Sequence, residues 1–166
     1  GNLATLSALG AVQDSTIASA SIAGAITMGG IWNDNMRNST NTAQSLNDKT
    51  ATIIDLEDVE LVGDVTYAAG TTSLATIPAG GTGIYDIYYE LTFAAGGGTY
   101  NAAEIYKNGV YYTDTTETPD NTNPIFVADY AKMYLEAGDT IALWGKQDSG
   151  GALNVTSGRL SIQRVQ

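Results

Sequence analysis

Two residue types on which much enzyme chemistry depends are missing from this sequence. None of the 166 residues is a cysteine, which excludes disulfide bonds and thiolate metal sites. None is a histidine, so the usual general base and the commonest zinc ligand are also absent. Enzymes that use only carboxylates, hydroxyls and lysines exist, but these absences favour a protein that is not an enzyme.

Basic residues are scarce. Seven Lys and Arg stand against 18 Asp and Glu, and the formal net charge is −11. Because phosphate groups are bound by clustered basic side chains, this composition argues against a nucleic-acid partner. It argues against attraction to an anionic membrane surface for the same reason.

Charge is missing altogether from residues 15–33, which raises the question of a membrane-spanning helix. Glycines and hydroxyl residues dilute the hydrophobicity of this stretch. No Lys or Arg precedes Arg37, so the basic flank that orients a span or opens a signal peptide is absent. We therefore expect no membrane span.

The chain divides into parts of different composition. Residues 1–32 are mainly Ala, Gly, Ser and Thr and cannot bury enough apolar surface to fold alone. Because small side chains let backbones pack closely, we expect an N-terminal arm that anchors the chain to a partner; the alternative is a terminus that lies along its own domain. Residues 33–50 are polar, with a weak apolar face, and predict a connector or a short helix. Residues 51–166 hold most of the acidic and aromatic residues and are predicted to form a globular head.

Short β-type runs separated by Gly, Pro, Asn and Asp predict that the head is all-β. Asn108-Gly109 between two such runs predicts a type I′ hairpin, because both central residues of that turn need positive φ. Around eight short strands with turns every eight to twelve residues predict a sandwich, jelly roll or barrel. The predicted strands are residues 52–59, 71–77, 84–93, 100–107, 110–116, 125–135, 140–145 and 153–163.

Four short motifs resemble, in order and spacing, the globular heads of the complement-type and tumour-necrosis-factor-like superfamily. They are Gly83-x-Tyr85-x-Ile87, Tyr106-Lys107-Asn108-Gly109, Leu135-Glu136-Ala137-Gly138-Asp139-Thr140-Ile141 and Ser157-Gly158-Arg159-Leu160. The resemblance covers residues 71–166 and implies a ten-stranded jelly roll, within a range of about 8–10 strands, that assembles as a homotrimer with aromatic and aliphatic residues along the three-fold axis. Ten tyrosines fit this expectation, because tyrosine is favoured at half-buried interfaces. Tyrosine replaces much of the usual core Phe and there is no Gly-x-y stalk, so the chain looks more like heads on bacteriophage fibres, capsid decorations and bacterial surface filaments.

No cofactor motif occurs, since the Gly-rich stretches lack the residues of a phosphate-binding or dinucleotide-binding loop. Acidic runs at residues 55–64 and 114–120 make calcium a candidate ligand, but neither has the spacing of a known calcium loop, and a solvated acidic surface is the favoured alternative. Side chains near hairpins and loop edges are candidates for contact with a glycan, through stacked rings and amide hydrogen bonds; core or subunit contact is the alternative for each ring. These candidates are Tyr100, Tyr111, Tyr112, Asn121, Asn123 and Trp144.

The resemblance implies a virion structural protein, a homotrimeric fibre or capsid-decoration head at the virion surface. Residues 1–32 would attach it to capsid or tail proteins, and several heads would bind a host surface glycan with avidity. One alternative is a trimeric head on a bacterial cell surface or spore filament. Another is a polysaccharide hydrolase, which would need two carboxylates facing each other across a cleft.

Overall fold

The structure is a computed structural model that describes residues 35–68 and 73–165. These residues form strands and contain no helix, so none of them belongs to a helix that could cross a membrane. The arm predicted for residues 1–32 and most of the charge-free stretch at residues 15–33 lie outside the described part. The strands are β1 (Asn35–Thr40), β2 (Gln44–Leu46), β3 (Thr52–Ile53), β4 (Asp58–Val62), β5 (Thr66–Ala68), β6 (Leu74–Thr76), β7 (Gly83–Phe93), β8 (Asn101–Lys107), β9 (Val110–Glu117), β10 (Ile125–Leu135), β11 (Thr140–Gln147) and β12 (Leu153–Arg164).

The strands form two antiparallel sheets. The first has the order β10-β7-β12-β1-β4, and β2 also pairs with β12. The second has the order β5-β6-β11-β8-β9, and β3 also pairs with β11. From β7 onward the chain crosses repeatedly between the sheets, so that β7, β10 and β12 lie in one and β8, β9 and β11 in the other. This confirms the predicted all-β jelly-roll architecture.

The hydrophobic core lies between the sheets. Along β7, side chains alternate between buried and half-buried at every position, as expected for a strand with one face in the core. Tyr85, Tyr89 and Phe93 are among the largest fully buried side chains. The hydroxyl of Tyr85 donates a hydrogen bond to the Gly81 carbonyl at 2.5 Å, which satisfies the polar end of a ring that packs in the core.

Part of the segment predicted as a connector or short helix is instead a pair of strands. β1 pairs with β12 and β4, β2 pairs with β12, and Leu46 is fully buried in the core. The short-helix alternative is therefore wrong for residues 35–50, and strands of the first sheet precede residue 51. A polar segment has weak local preferences, and the distant strand β12 supplies the hydrogen-bond partners that decide its conformation.

Most other predicted strands agree with the structure to within a few residues. The predicted strand at residues 52–59 is two short strands, β3 and β4, in different sheets. The predicted strand at residues 110–116 is observed as β9 and continues to Glu117, which pairs with Asn101.

Two of the sequence motifs meet at one end of the second sheet. Asn108 and Gly109 have φ of 53° and 75°, as a type I′ turn requires. Asn108 Nδ2 donates to Asp139 Oδ1 at 2.7 Å, and Lys107 Nζ lies 2.8 Å from Asp139 Oδ2. The Thr140 amide donates to Asn108 Oδ1 at 2.8 Å. Burial acts to raise the pKa of Asp139, but the donors around its carboxylate outweigh burial and lower the pKa to about 2. The two motifs are thus halves of one hydrogen-bonded network.

Candidate functional site

Large aromatic side chains are exposed along one strand of the first sheet. Phe126, Tyr130 and Tyr134 are 56%, 72% and 57% exposed. They are four residues apart on β10, so all three lie on the face directed away from the core. Tyr130 is opposite Tyr88 of β7, and the two ring centroids are 4.7 Å apart. We call the outward side chains of β10 and of the paired strands β7 and β12 the β10 face.

The charges on the β10 face balance each other, although the chain as a whole is strongly acidic. Lys132 Nζ lies 2.9 Å from Asp86 Oδ1. Arg159 lies 3.5 Å from Glu90 and 3.4 Å from Glu60. Paired charges at the surface contribute little stability. However, two copies of a surface with balanced charges repel each other less than two copies of an acidic surface would.

One hydroxyl on the β10 face is held by a carboxylate. Tyr88 donates a hydrogen bond to Glu90 Oε2. Burial, followed by that bond, raises the pKa of Tyr88 to about 12, so the hydroxyl stays neutral at physiological pH.

A second group of aromatic rings lies on the outward face of the other sheet. Tyr106 of β8 stacks on Trp144 of β11 with centroids 4.5 Å apart and an interplanar angle of 24°. Tyr111 of β9 meets Tyr106 edge-on, with centroids 6.0 Å apart. Their strand neighbours Ile105 and Leu143 are buried in the core, so alternation directs the three rings outward. We call Tyr106, Tyr111 and Trp144 the tyrosine–tryptophan cluster.

Two carboxylates accompany this cluster. Glu104 of β8 is directly opposite Asp114 of β9 in the strand register. Tyr106 donates a hydrogen bond to Glu104 Oε2 at 3.2 Å, and Tyr111 donates to Asp114 Oδ1 at 2.6 Å. Burial raises the pKa of Glu104, and the nearby Lys146 acts in the opposite direction. The hydrogen bond to Asp114 raises the pKa of Tyr111 to about 12.

The structure brings together two of the six predicted site residues. Tyr111 and Trp144 both contact Tyr106, which the sequence prediction did not include among the site residues. A signal for Tyr106 was present, because a two-residue turn at Asn108-Gly109 places residue 106 opposite residue 111, as observed.

The other four predicted residues are not part of the cluster, although Tyr112 directly follows Tyr111 in the chain. Tyr100 precedes β8, its amide donates to Asp148 Oδ1 at 3.0 Å, and Lys146 Nζ lies 6.0 Å from its ring centroid. Tyr112 is the residue that a β-bulge leaves unpaired in β9. Asn121 and Asn123 lie in the loop after β9, roughly 20 Å along that strand from Tyr111.

Carboxylates of the two acidic runs have neighbours of their own. Glu57 accepts from Thr42 at 2.9 Å, Asp55 accepts from Ser73 at 2.9 Å, and Asp120 accepts from Asn123 at 2.8 Å. Within residues 35–68 and 73–165, no three acidic side chains come together as a metal site.

The two antiparallel sheets, packed around a mainly aliphatic core, form a jelly roll like that of tumour-necrosis-factor-like structures. Solved structures similar to this chain include the globular domain of zebrafish complement 1qA protein, with a TM-score of 0.60 and 12% identity over 80% of this chain and 98% of that one. They also include Eiger TNF from S. frugiperda, with a TM-score of 0.59 and 11% identity over 80% and 94% of the two chains. A third is the PRD1 vertex protein P5, with a TM-score of 0.59 and 13% identity over 80% and 73%. The expected superfamily resemblance is confirmed at the level of fold.

At the level of sequence the comparisons found nothing. No protein-family model matches the chain, and no curated protein matches it significantly.

Proposed function

We propose that this protein is a structural head of a virion, a homotrimeric fibre or capsid-decoration knob whose subunits meet through the β10 face. The head has no catalytic role in this proposal. Residues 1–32 attach it to capsid or tail proteins, and the outward face of the second sheet is displayed to the host.

The observation that carries the proposal is the row of exposed aromatic rings on β10. Three large aromatic side chains on one face of a single strand are an unusual exposure of apolar surface for a monomer. Contact with other copies would remove these rings from water, and aromatic residues are enriched in such interfaces. A closed ring of identical subunits would cover the β10 face of every copy, and the fold likeness makes three the expected number.

The virion assignment is supported by the likeness to a vertex protein. The chain covers most of the PRD1 vertex protein P5 at the level of fold. A small-residue arm ahead of an acidic head also suits a protein that is anchored at one end and projects at the other.

Light scattering on purified protein tests the trimer. The unchanged chain should have a molar mass three times that of one 17.3 kDa chain. Tyr130→Asp places a charge in each copy of the contact and should shift the protein toward monomers at micromolar concentration. Tyr112→Asp changes a tyrosine on the other sheet that is 48% exposed, and should remain trimeric. Circular dichroism shows whether both variants stay folded; an unchanged chain that is monomeric would refute the trimer.

Image reconstruction of the native assembly tests the virion role. Three-fold knobs on a capsid or tail would support it. Knobs on a cell-surface or spore filament would replace it with the bacterial alternative while leaving the trimer intact.

A further inference from the structure

The tyrosine–tryptophan cluster has features of a binding surface in addition to those of packing. Tyr111 is 50% exposed although its hydroxyl is fixed by Asp114 at 2.6 Å. Tyr106 contacts both Tyr111 and Trp144. The exposed Tyr111 ring therefore packs against a ring that is itself stacked on a third. A ring held in this way loses little conformational entropy when a ligand packs against it.

Two small residues lie among the larger side chains on the outward side of this sheet. Ala102 and Ala142 lie on the outward side of β8 and β11, opposite Lys146 and Tyr106 in register. Both are at most 3% exposed, because the larger side chains around them cover them. The surface that a ligand could reach here is therefore formed by the rings and the longer side chains, with Tyr111 the most exposed ring of the cluster.

Hydrogen-bond acceptors lie beside the rings. Glu104 and Asp114 lie opposite each other, and each accepts one tyrosine hydroxyl. A carboxylate has about four acceptor positions, and Glu104 is only 6% exposed, so the acceptor capacity open to hydroxyl groups of a ligand lies mainly on Asp114. Asp114 is exposed, and its oxygens can be reached from solvent.

These features favour one chemistry. The C–H face of a sugar ring can pack on an exposed aromatic face, while its hydroxyl groups donate to neighbouring carboxylates. A sugar that carries carboxylate, sulfate or phosphate would be repelled by both carboxylates and by the negative field of a chain with net charge −11.

We propose that the tyrosine–tryptophan cluster, with Glu104 and Asp114, is a binding site for uncharged saccharides that discriminates against sialylated, sulfated and phosphorylated glycans. The inference rests on the proposed function, in which the β10 faces meet one another and the outward face of the second sheet stays open. Of the six residues that the sequence suggested for glycan contact, this site retains Tyr111 and Trp144. It adds Tyr106, Glu104 and Asp114.

A glycan array probed with the labelled full-length chain tests this inference. The array should carry chains ending in uncharged galactose, glucose and N-acetylglucosamine, the same chains capped with sialic acid or sulfate, and a basic peptide. We expect retention on the uncharged chains and loss of at least about tenfold on the capped ones, a difference of about 1.4 kcal/mol. Retention on the charged glycans or on the basic peptide alone, or on nothing, would overturn the inference.

Matched variants locate the site on the best uncharged glycan. Tyr111→Ala and Asp114→Asn should each weaken binding by about tenfold or more. Tyr112→Ala removes the adjacent, equally exposed ring, and Glu117→Gln changes an exposed carboxylate on the same strand; both should bind as the unchanged chain does. Equal losses for Tyr111→Ala and Tyr112→Ala would overturn the assignment.

Oligomeric state separates the two proposals. If light scattering shows trimers and no uncharged glycan binds, the saccharide site fails and the trimeric head stands. If Tyr130→Asp is monomeric, it should retain single-site affinity in solution and lose avidity on the array.

Discussion

Gly158 shows how one residue without a side chain can determine the packing of a strand. It is buried in β12, and an added Cβ would lie 2.9 Å from Cδ2 of Leu91. An alanine at this position would therefore require the buried side chain of Leu91 to move. This is a physical reason for the glycine in the motif Ser157-Gly158-Arg159-Leu160.

Gly158→Ala should lower the free energy of unfolding by about 1–3 kcal/mol, because the extra methyl group overpacks the core. Urea unfolding at fixed protomer concentration measures the change. Gly151→Ala serves as the control, since no atom lies within 4 Å of its added Cβ. Equal stability of the two variants would contradict the close packing of β12 against Leu91.

Glu104 makes the stability of the fold depend on pH. Its pKa in the folded protein is raised above the ordinary value of 4.5 by burial. The folded state therefore binds this proton more tightly than the unfolded chain does. The resulting stability is fully present below the ordinary pKa and is lost as the pH rises through the raised one.

Glu104→Gln should accordingly be more stable than the unchanged chain at neutral pH, and its advantage should disappear in acid. The glutamine stays neutral and keeps an oxygen that can accept from Tyr106. Unfolding by urea between about pH 4 and pH 8 gives the difference as a function of pH. Glu117→Gln, an exposed change on β9, is the control. An advantage that is the same at every pH would rule out burial of the Glu104 charge as its source.

Among the elements of the fold, the β8–β9 hairpin has the strongest local determinants. Asn108 and Gly109 form its turn, and the side chain of Asn108 connects that turn to Asp139 and Thr140. The hairpin also sets the register that places Tyr106 opposite Tyr111. The turn therefore positions the tyrosine–tryptophan cluster.

Gly109→Val should destabilise the head by about 1–3 kcal/mol, because a β-branched residue is strained at positive φ. Thermal unfolding followed by circular dichroism detects the loss. Gly151→Val introduces the same side chain where space is open and φ is not positive, and should be nearly neutral. A Gly109→Val protein as stable as that control would show that the turn has another conformation.

The arrangement of the strands shows which strands local sequence patterns can predict and which they cannot. Alternation along β7, the turn at Asn108-Gly109 and the glycine-rich breaks are local, and the strands predicted from them are largely observed. β1 and β2 were not predicted, because a polar segment becomes a strand only through hydrogen bonds to β12, far away in the chain.

In the molecule as a whole, the two outward faces have different proposed functions, subunit contact and ligand binding. The β10 face is aromatic with balanced charges, which suits contact between copies. The second sheet presents aromatic rings beside two carboxylates, which suits an external ligand. Because the faces belong to different sheets of one sandwich, both can be used at once.

Attachment through residues 1–32 is a prediction at this scale. A chain shortened to residues 33–166 should remain trimeric in light scattering and fail to incorporate into particles. Mass spectrometry of purified particles measures incorporation, with the full chain as control. Incorporation of the shortened chain at the level of the full chain would remove the anchoring role.

The class of the fold and the character of the surface could be inferred from the residues alone. Strand periodicity, turn residues and net charge are properties of neighbouring residues or of the sum of all residues, so they can be read without a partner strand. Tyr106 and Tyr111 could have been paired in the same way, since a two-residue turn joins them. The stacking of Trp144 on Tyr106 and the exposure of Tyr130 could be seen only in the folded chain, because each depends on which distant strands pair and which face of each sheet the core covers.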